Sequence, residues 1–166
     1  MLGGRSPPAA ERRSVGRREI VEATELNELS LQFQLTTPDG PLETYWNRLL
    51  NVVADFQLVV GRRMIFSEEE FPIVELAVQL DAWLERLSDE TPEFVYTSSE
   101  SQIPGLIRFS PGSEGWHVSA AFAEFADATS FNLSEVATAV RSYVAAVDET
   151  VSSEYGFRLR ELAPRR

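Results

Sequence analysis

Phe71 to Leu87 reads FPIVELAVQLDAWLERL, and its periodicity decides what kind of fold the rest of the chain can make. Ile73, Leu76, Ala77, Leu80, Trp83, Leu84 and Leu87 recur at steps of three and four, the spacing that lines one face of an α-helix. Glu75, Gln79, Asp81, Glu85 and Arg86 fall on the opposite side. Pro72 suits the first helical turn, where a missing N–H costs little, so the regular helix is expected to begin near Phe71. Ser67 and Glu70 have the spacing of a capping box. Glu68, Glu69 and Glu70 would then stand at the positive end of the helix dipole.

Upstream, the period changes from 3.6 to two. Leu29, Leu31, Phe33 and Leu35 alternate with polar residues, the pattern of a half-buried strand, and Thr37-Pro38-Asp39-Gly40-Pro41 is a turn. Leu42 to Leu50 fits either a returning strand or a short helix, and residues 42–52 stay open. Ala54, Phe56, Leu58 and Val60 alternate again. Gly61-Arg62 then suits a two-residue type II′ hairpin turn joining strands at 53–60 and 63–67.

Downstream, Phe94–Thr97 and Leu106–Phe109 read as strands. Trp116, Val118, Ala120 and Phe122 alternate after the turn Pro111–Gly115. Trp83 and Trp116 are in phase with core positions, whereas Trp46 fits a core or a contact role. The last helix has the clearest start: Asn132 can cap, Glu135 stands three residues on, and Phe131 can staple against Val136. Leu133, Val136, Val140, Tyr143, Val144, Val147 and Val151 form its stripe, and Gly156 can stop it.

Adjacent hairpins separated by two amphipathic helices argue for an α+β fold, a mainly antiparallel sheet with both helices on one face. The expected organisation is a disordered basic tail over residues 1–18, one α+β domain over 19–157 and a basic C-terminal tail over 158–166; Phe157 and Leu159 could dock as a short strand. The free face of the sheet is then the expected working surface.

Charge is partitioned along the same lines. All 15 basic residues of the 166 are arginine, and there are 26 acids, one histidine and no cysteine. Residues 19–157 hold six arginines against 24 of the acids, a formal charge of −18. Such a body repels nucleic acid and anionic membrane, both polyanions. It attracts basic partners and speeds their encounter. No apolar run approaches membrane-spanning length, and the first residues lack the apolar core of a secretory signal. Cytoplasm is the expected compartment.

The residue inventory narrows the chemistry. Without cysteine and with one histidine, an ordinary zinc site is nearly excluded. Glu68–Glu70 with Glu75 is the one dense carboxylate cluster, but no Asp-rich calcium loop accompanies it. Without lysine there is no Schiff-base chemistry, and neither a Walker loop nor G-x-G-x-x-G is present. His117 and Ser119 share a side of one strand, without the elbow motif of a serine hydrolase. No cofactor is expected. The polar set Tyr96, Ser98, Arg108, His117 and Ser119, together with Glu68, Glu69 and Glu70, is the candidate partner-binding surface.

The run FSEEEFPIVELAVQLDAWL, followed by EFVYTSSES, GLIRF, GWHVSAAF and the final helix, resembles a family of small bacterial proteins of unknown function found in actinobacteria and their relatives. The likeness spans about residues 44–157. Its most specific pieces are FPIVELA, with Glu75 inside an apolar helix start, and Tyr96-Thr97-Ser98. The family carries no known activity, so the resemblance implies no functional residues. In size, acidity and layout the chain is also similar in style to immunity proteins of bacterial toxin systems. The expected function is therefore a non-enzymatic, acidic, protein-binding module, in its sharpest form an inhibitor of a basic toxin. The alternatives are a small hydrolase using His117 or a carboxylate, and a structural subunit of a homo-oligomer.

Overall fold

A computed structural model of the protein describes residues 28–101, 103–123 and 129–163. The expected N-terminal tail lies outside the described residues, as do residues 19–27 and 164–166. Eleven elements follow in chain order: β1 (Leu29–Leu35), α1 (Tyr45–Leu50), β2 (Val53–Val60), β3 (Arg63–Pro72), α2 (Ile73–Arg86), β4 (Phe94–Val95), β5 (Ile107–Gly112), β6 (Gly115–Ala120), β7 (Ser130–Phe131), α3 (Leu133–Tyr155) and a single 3₁₀ turn at Leu159–Glu161. The architecture is α+β, as the alternation of hairpins and amphipathic helices predicts.

The strands form two antiparallel sheets, ordered β1-β2-β3 and β4-β5-β6-β7, where one sheet was expected. Helix α2 explains the split. It follows β3 without a loop and is buried almost all round at its start, from Ile73 to Ala77. Its far end carries Trp83 into the second sheet, edge-on to Phe94, Phe109 and Trp116, with the indole N–H donating to the Pro92 carbonyl at 2.7 Å. Helix α3 packs beside α2 and over the first sheet. Its Tyr143 ring stands edge-on to Phe33 and Phe56, and its hydroxyl donates to the Ile73 carbonyl at 3.0 Å. Burial alone pushes that hydroxyl's pKa well above its ordinary value.

Local chemistry sets most boundaries. Asn132 and Glu135 form the full capping box at the start of α3, with bonds of 2.9 and 2.7 Å, and Gly156 ends the helix with φ +74°. Gly61, at φ +59°, makes the two-residue turn between β2 and β3. Residues 45–50, which pattern left undecided, form a helix because Thr44 caps it, accepting from the Asn47 N–H at 3.1 Å.

Beyond a shorter β4, which ends at Val95, and a β5 that runs through Pro111–Gly112 where a turn was expected, three boundaries differ from expectation. Strand β3 continues through Glu68–Glu70 to Pro72, so the Ser67–Glu70 capping box does not form and α2 starts at Ile73. The reason is that β2 offers a continuing ladder down to Val53↔Pro72. A bulge opposite Asp55 absorbs one extra residue, with Glu70 at φ +54°. Second, Phe157 and Leu159 dock, but through a 3₁₀ turn and not as a strand, and Leu162 is buried with them. Asp148 on α3 holds this segment, accepting from the Leu159 N–H at 2.8 Å and from Arg158 at 2.7 Å. Third, Ser130–Phe131 adds an edge strand beside β6.

Candidate functional site

Glu75 sits in the first turn of α2 and is 2% exposed, although its helical phase places it among polar residues. Tyr96 lies just after β4, in phase with Phe94, and therefore points inward. Its hydroxyl donates to Glu75 Oε2 at 2.9 Å, and the Ser99 N–H donates to Oε1 at 2.8 Å, joined there by the Ser99 hydroxyl. One turn on, Gln79 closes a two-way amide pair with Thr97: its Nε2 donates to the Thr97 carbonyl at 2.7 Å, and its Oε1 accepts the Thr97 N–H at 3.2 Å. Positions 75 and 79 share one helix face, so α2 grips Tyr96, Thr97 and Ser99 in the segment that leads into β5. Burial pushes the Tyr96 hydroxyl far above its usual pKa, and the Glu75 carboxylate beside it pushes further. A carboxylate so enclosed and supplied with three donors is built to hold structure.

The gripped segment continues into a surface feature. Ser98 Oγ accepts the N–H groups of Glu100 and Ser101, and Ser101 Oγ accepts that of Ile103. Ser101, Ile103 and Leu106 form one wall of a cleft of about 610 Å³. The cleft is lined as well by β3 from Arg63 to Glu68 and by Ala121 to Ala123 after β6. Three large apolar side chains stand at this cleft in solvent: Met64 at 54% exposed, Ile103 at 40% and Phe122 at 79%. Phe122 is one of two non-glycine residues at positive φ among those described, at +64°. A left-handed backbone at a bulky residue costs roughly 1–3 kcal/mol.

A family model described as a domain of unknown function, DUF7878, matches residues 31–153. The chain belongs to this family. No curated protein and no solved structure matches it. The matched stretch takes in the Glu75 latch and every described wall of the cleft.

Within the DUF7878 domain the candidate residues divide. Arg108, His117 and Ser119 do share the outer face of the second sheet, since Arg108 pairs with Ser119 and Ser110 with His117. Tyr96 and Ser98 do not belong with them: Tyr96 is fully buried and Ser98 nearly so. Their places correct the expected polar surface, because the parity that turns Phe94 inward also turns Tyr96 inward. Arg108 is engaged by Glu93 at 3.3 Å. His117 is half-buried, its ring lying over Gly112 across the hairpin, and it is not at the cleft. Glu68, Glu69 and Glu70 are exposed on β3, and Glu68 lines the cleft. They take no part in the ion pairs formed by Arg48, Arg86, Arg108 and Arg158. Partial burial raises the Glu68 carboxyl pKa.

Sequence reasoning missed the cleft itself, because Met64, Ile103 and Phe122 come from three separated segments. Trp46 is exposed on α1, stacked edge-on with Tyr45 at 5.1 Å. Among the described residues no group of three or more His, Asp or Glu is placed to hold a metal ion, and no helix is long and apolar enough to cross a membrane.

Proposed function

We propose that this DUF7878 domain is a binding protein that docks a basic protein segment in the cleft between β3 and Ser101–Leu106. The observation that carries the reading is the convergence of Met64, Ile103 and Phe122, three exposed apolar side chains on one cleft that is also lined by Glu68 and Arg63, with the exposed Glu69 and Glu70 following Glu68 on β3. A hydrophobic centre beside exposed carboxylates suits a partner that inserts an aliphatic or aromatic side chain and aims arginine or lysine at β3. The charge of −18 over residues 19–157 steers such a partner at long range. An immunity-type inhibitor of a basic toxin, acting in the cytoplasm of an actinobacterium or a related bacterium, is the sharpest form of this reading.

The test is fluorescence anisotropy with labelled amphipathic peptides that combine leucine or phenylalanine with arginine and lysine, against counterparts with glutamate in the basic positions. The basic peptides are expected to bind, to weaken as salt shortens the Debye length below about 10 Å, and to lose affinity in Phe122→Ser and in the triple Glu68→Gln, Glu69→Gln, Glu70→Gln variant. Equal binding of the acidic peptides, no binding of the basic ones, or binding indifferent to both variants overturns the reading.

A further inference from the structure

The Glu75 latch and the cleft belong to one hydrogen-bonded run. Helix α2 holds Tyr96, Thr97 and Ser99 through Glu75 and Gln79. Ser98 Oγ then fixes the backbone of Glu100 and Ser101, and Ser101 Oγ fixes Ile103. The Gly105 N–H returns to the Tyr96 carbonyl at 3.1 Å, closing the segment into a loop. The loop makes few apolar contacts of its own: Thr97, Ser99, Glu100 and Ile103 are exposed. Its shape therefore depends on polar bonds whose buried end is a single carboxylate. Segments with few buried apolar contacts sit at the low-stability end of a fold, and such a loop relaxes when its anchor goes.

We propose that Glu75 is the positioning residue of the cleft: it sets the wall carrying Ser101 and Ile103 and so controls affinity for the basic protein segment that docks there. For its binding consequence the inference rests on the docking reading above; for its structural consequence it stands alone. A loop held in its bound shape spares the partner the entropy of ordering it, so the latch acts through preorganisation without touching the partner.

The experiment compares the full chain with Glu75→Leu and Glu75→Gln. Glutamine keeps an oxygen for both Ser99 donors and can turn its amide to the Tyr96 oxygen; leucine keeps volume and removes every acceptor. Hydrogen exchange read by mass spectrometry is expected to quicken about tenfold or more over residues 97–103 in Glu75→Leu, with β5 and β6 unchanged, and to return toward wild type in Glu75→Gln. The basic peptide probe should weaken in step, about tenfold in Glu75→Leu and little in Glu75→Gln. Unchanged exchange of the loop in a folded Glu75→Leu protein overturns the latch. Loop exchange that quickens while peptide affinity holds overturns its control of the cleft. A wild type that binds no peptide sinks the docking reading alone, and exchange still decides the latch. Should Glu75→Leu fail to fold, the double variant Tyr96→Phe, Ser99→Ala removes two of the three donors while keeping the packed ring, and the same exchange criterion applies.

Discussion

The Tyr96 hydroxyl donates to Glu75 Oε2 at 2.9 Å, joining the end of β4 to the start of α2 in a region closed to water. Neither group belongs in an apolar interior alone. Burial would charge a heavy penalty for the carboxylate and would leave the phenol without a partner. Together with Ser99 they are satisfied, and no buried side-chain nitrogen or oxygen among the described residues lacks a hydrogen bond.

Removing the phenol oxygen should cost less than removing the carboxylate. Tyr96→Phe loses one bond to a charged group, about 1.5–3 kcal/mol, and leaves Glu75 with its Ser99 donors. Glu75→Ala adds a cavity and orphans the phenol, so a loss above about 3 kcal/mol is expected. Denaturant unfolding of both variants checks the order.

Phe122 should trade stability for binding. Phe122→Gly relieves the left-handed backbone and is expected to stabilise by about 1 kcal/mol while abolishing capture of the basic peptides. Thermal unfolding and anisotropy on the same preparation test both halves. A stabilised variant that still binds would remove Phe122 from the docking surface.

Two glycines in the β5–β6 hairpin should differ. A Cβ on Gly115, at φ +132°, would lie 2.6 Å from the Phe131 carbonyl oxygen, a backbone atom. A Cβ on Gly112 would run into the His117 ring, and a side chain can swing away. Gly115→Ala should therefore destabilise by more than about 1 kcal/mol, and Gly112→Ala by less. Their midpoints in urea give the comparison.

Asp81 and Asp148, facing one groove between α2 and α3, should respond to pH with opposite signs. Burial first, then Glu85 and Asp148, raise the Asp81 carboxyl pKa. A raised acid pKa means the folded state binds the proton more tightly, so stability falls as pH rises through that value. Asp81→Asn should raise Tm at neutral pH, and the gain should vanish as pH drops to the ordinary value of 3.8. For Asp148, burial pushes upward but the Leu159 N–H and Arg158 outweigh it, holding the carboxyl below 3.8. Its contribution is whole above that value and is lost as pH falls through the folded one. Asp148→Asn should thus lower Tm at neutral pH, with the gap closing in strong acid. Thermal melts across pH decide both.

Some of this was legible in the residues. The α3 cap depends on Asn132 and Glu135 within one turn, and the β2–β3 hairpin on Gly61 and its flanking alternation; each is local, so the sequence carries it. Trp83 and Trp116 were readable as core because each is in phase with apolar neighbours. Tyr96 was misplaced on the outer face although its parity with Phe94 was available. Glu75 was read onto the polar side of α2, because helical phase assumes that one face meets solvent, and the start of α2 has no such face.

Taken by itself, the amino-acid order determined the α+β class, the positions of the hairpins, the extent of α3 and the negative charge of the body, since all follow from spacing within a dozen residues or from composition. The two-sheet division, the run of β3 through Glu68–Glu70, the docking of Phe157–Leu162, the Glu75–Tyr96 bond and the cleft were decided by tertiary structure. Each depends on what a distant segment offers: a free ladder from β2, a carboxylate on α3, a phenol after β4, or apolar side chains from three separated segments. Local propensity has no knowledge of these partners, and burial among them outweighs it.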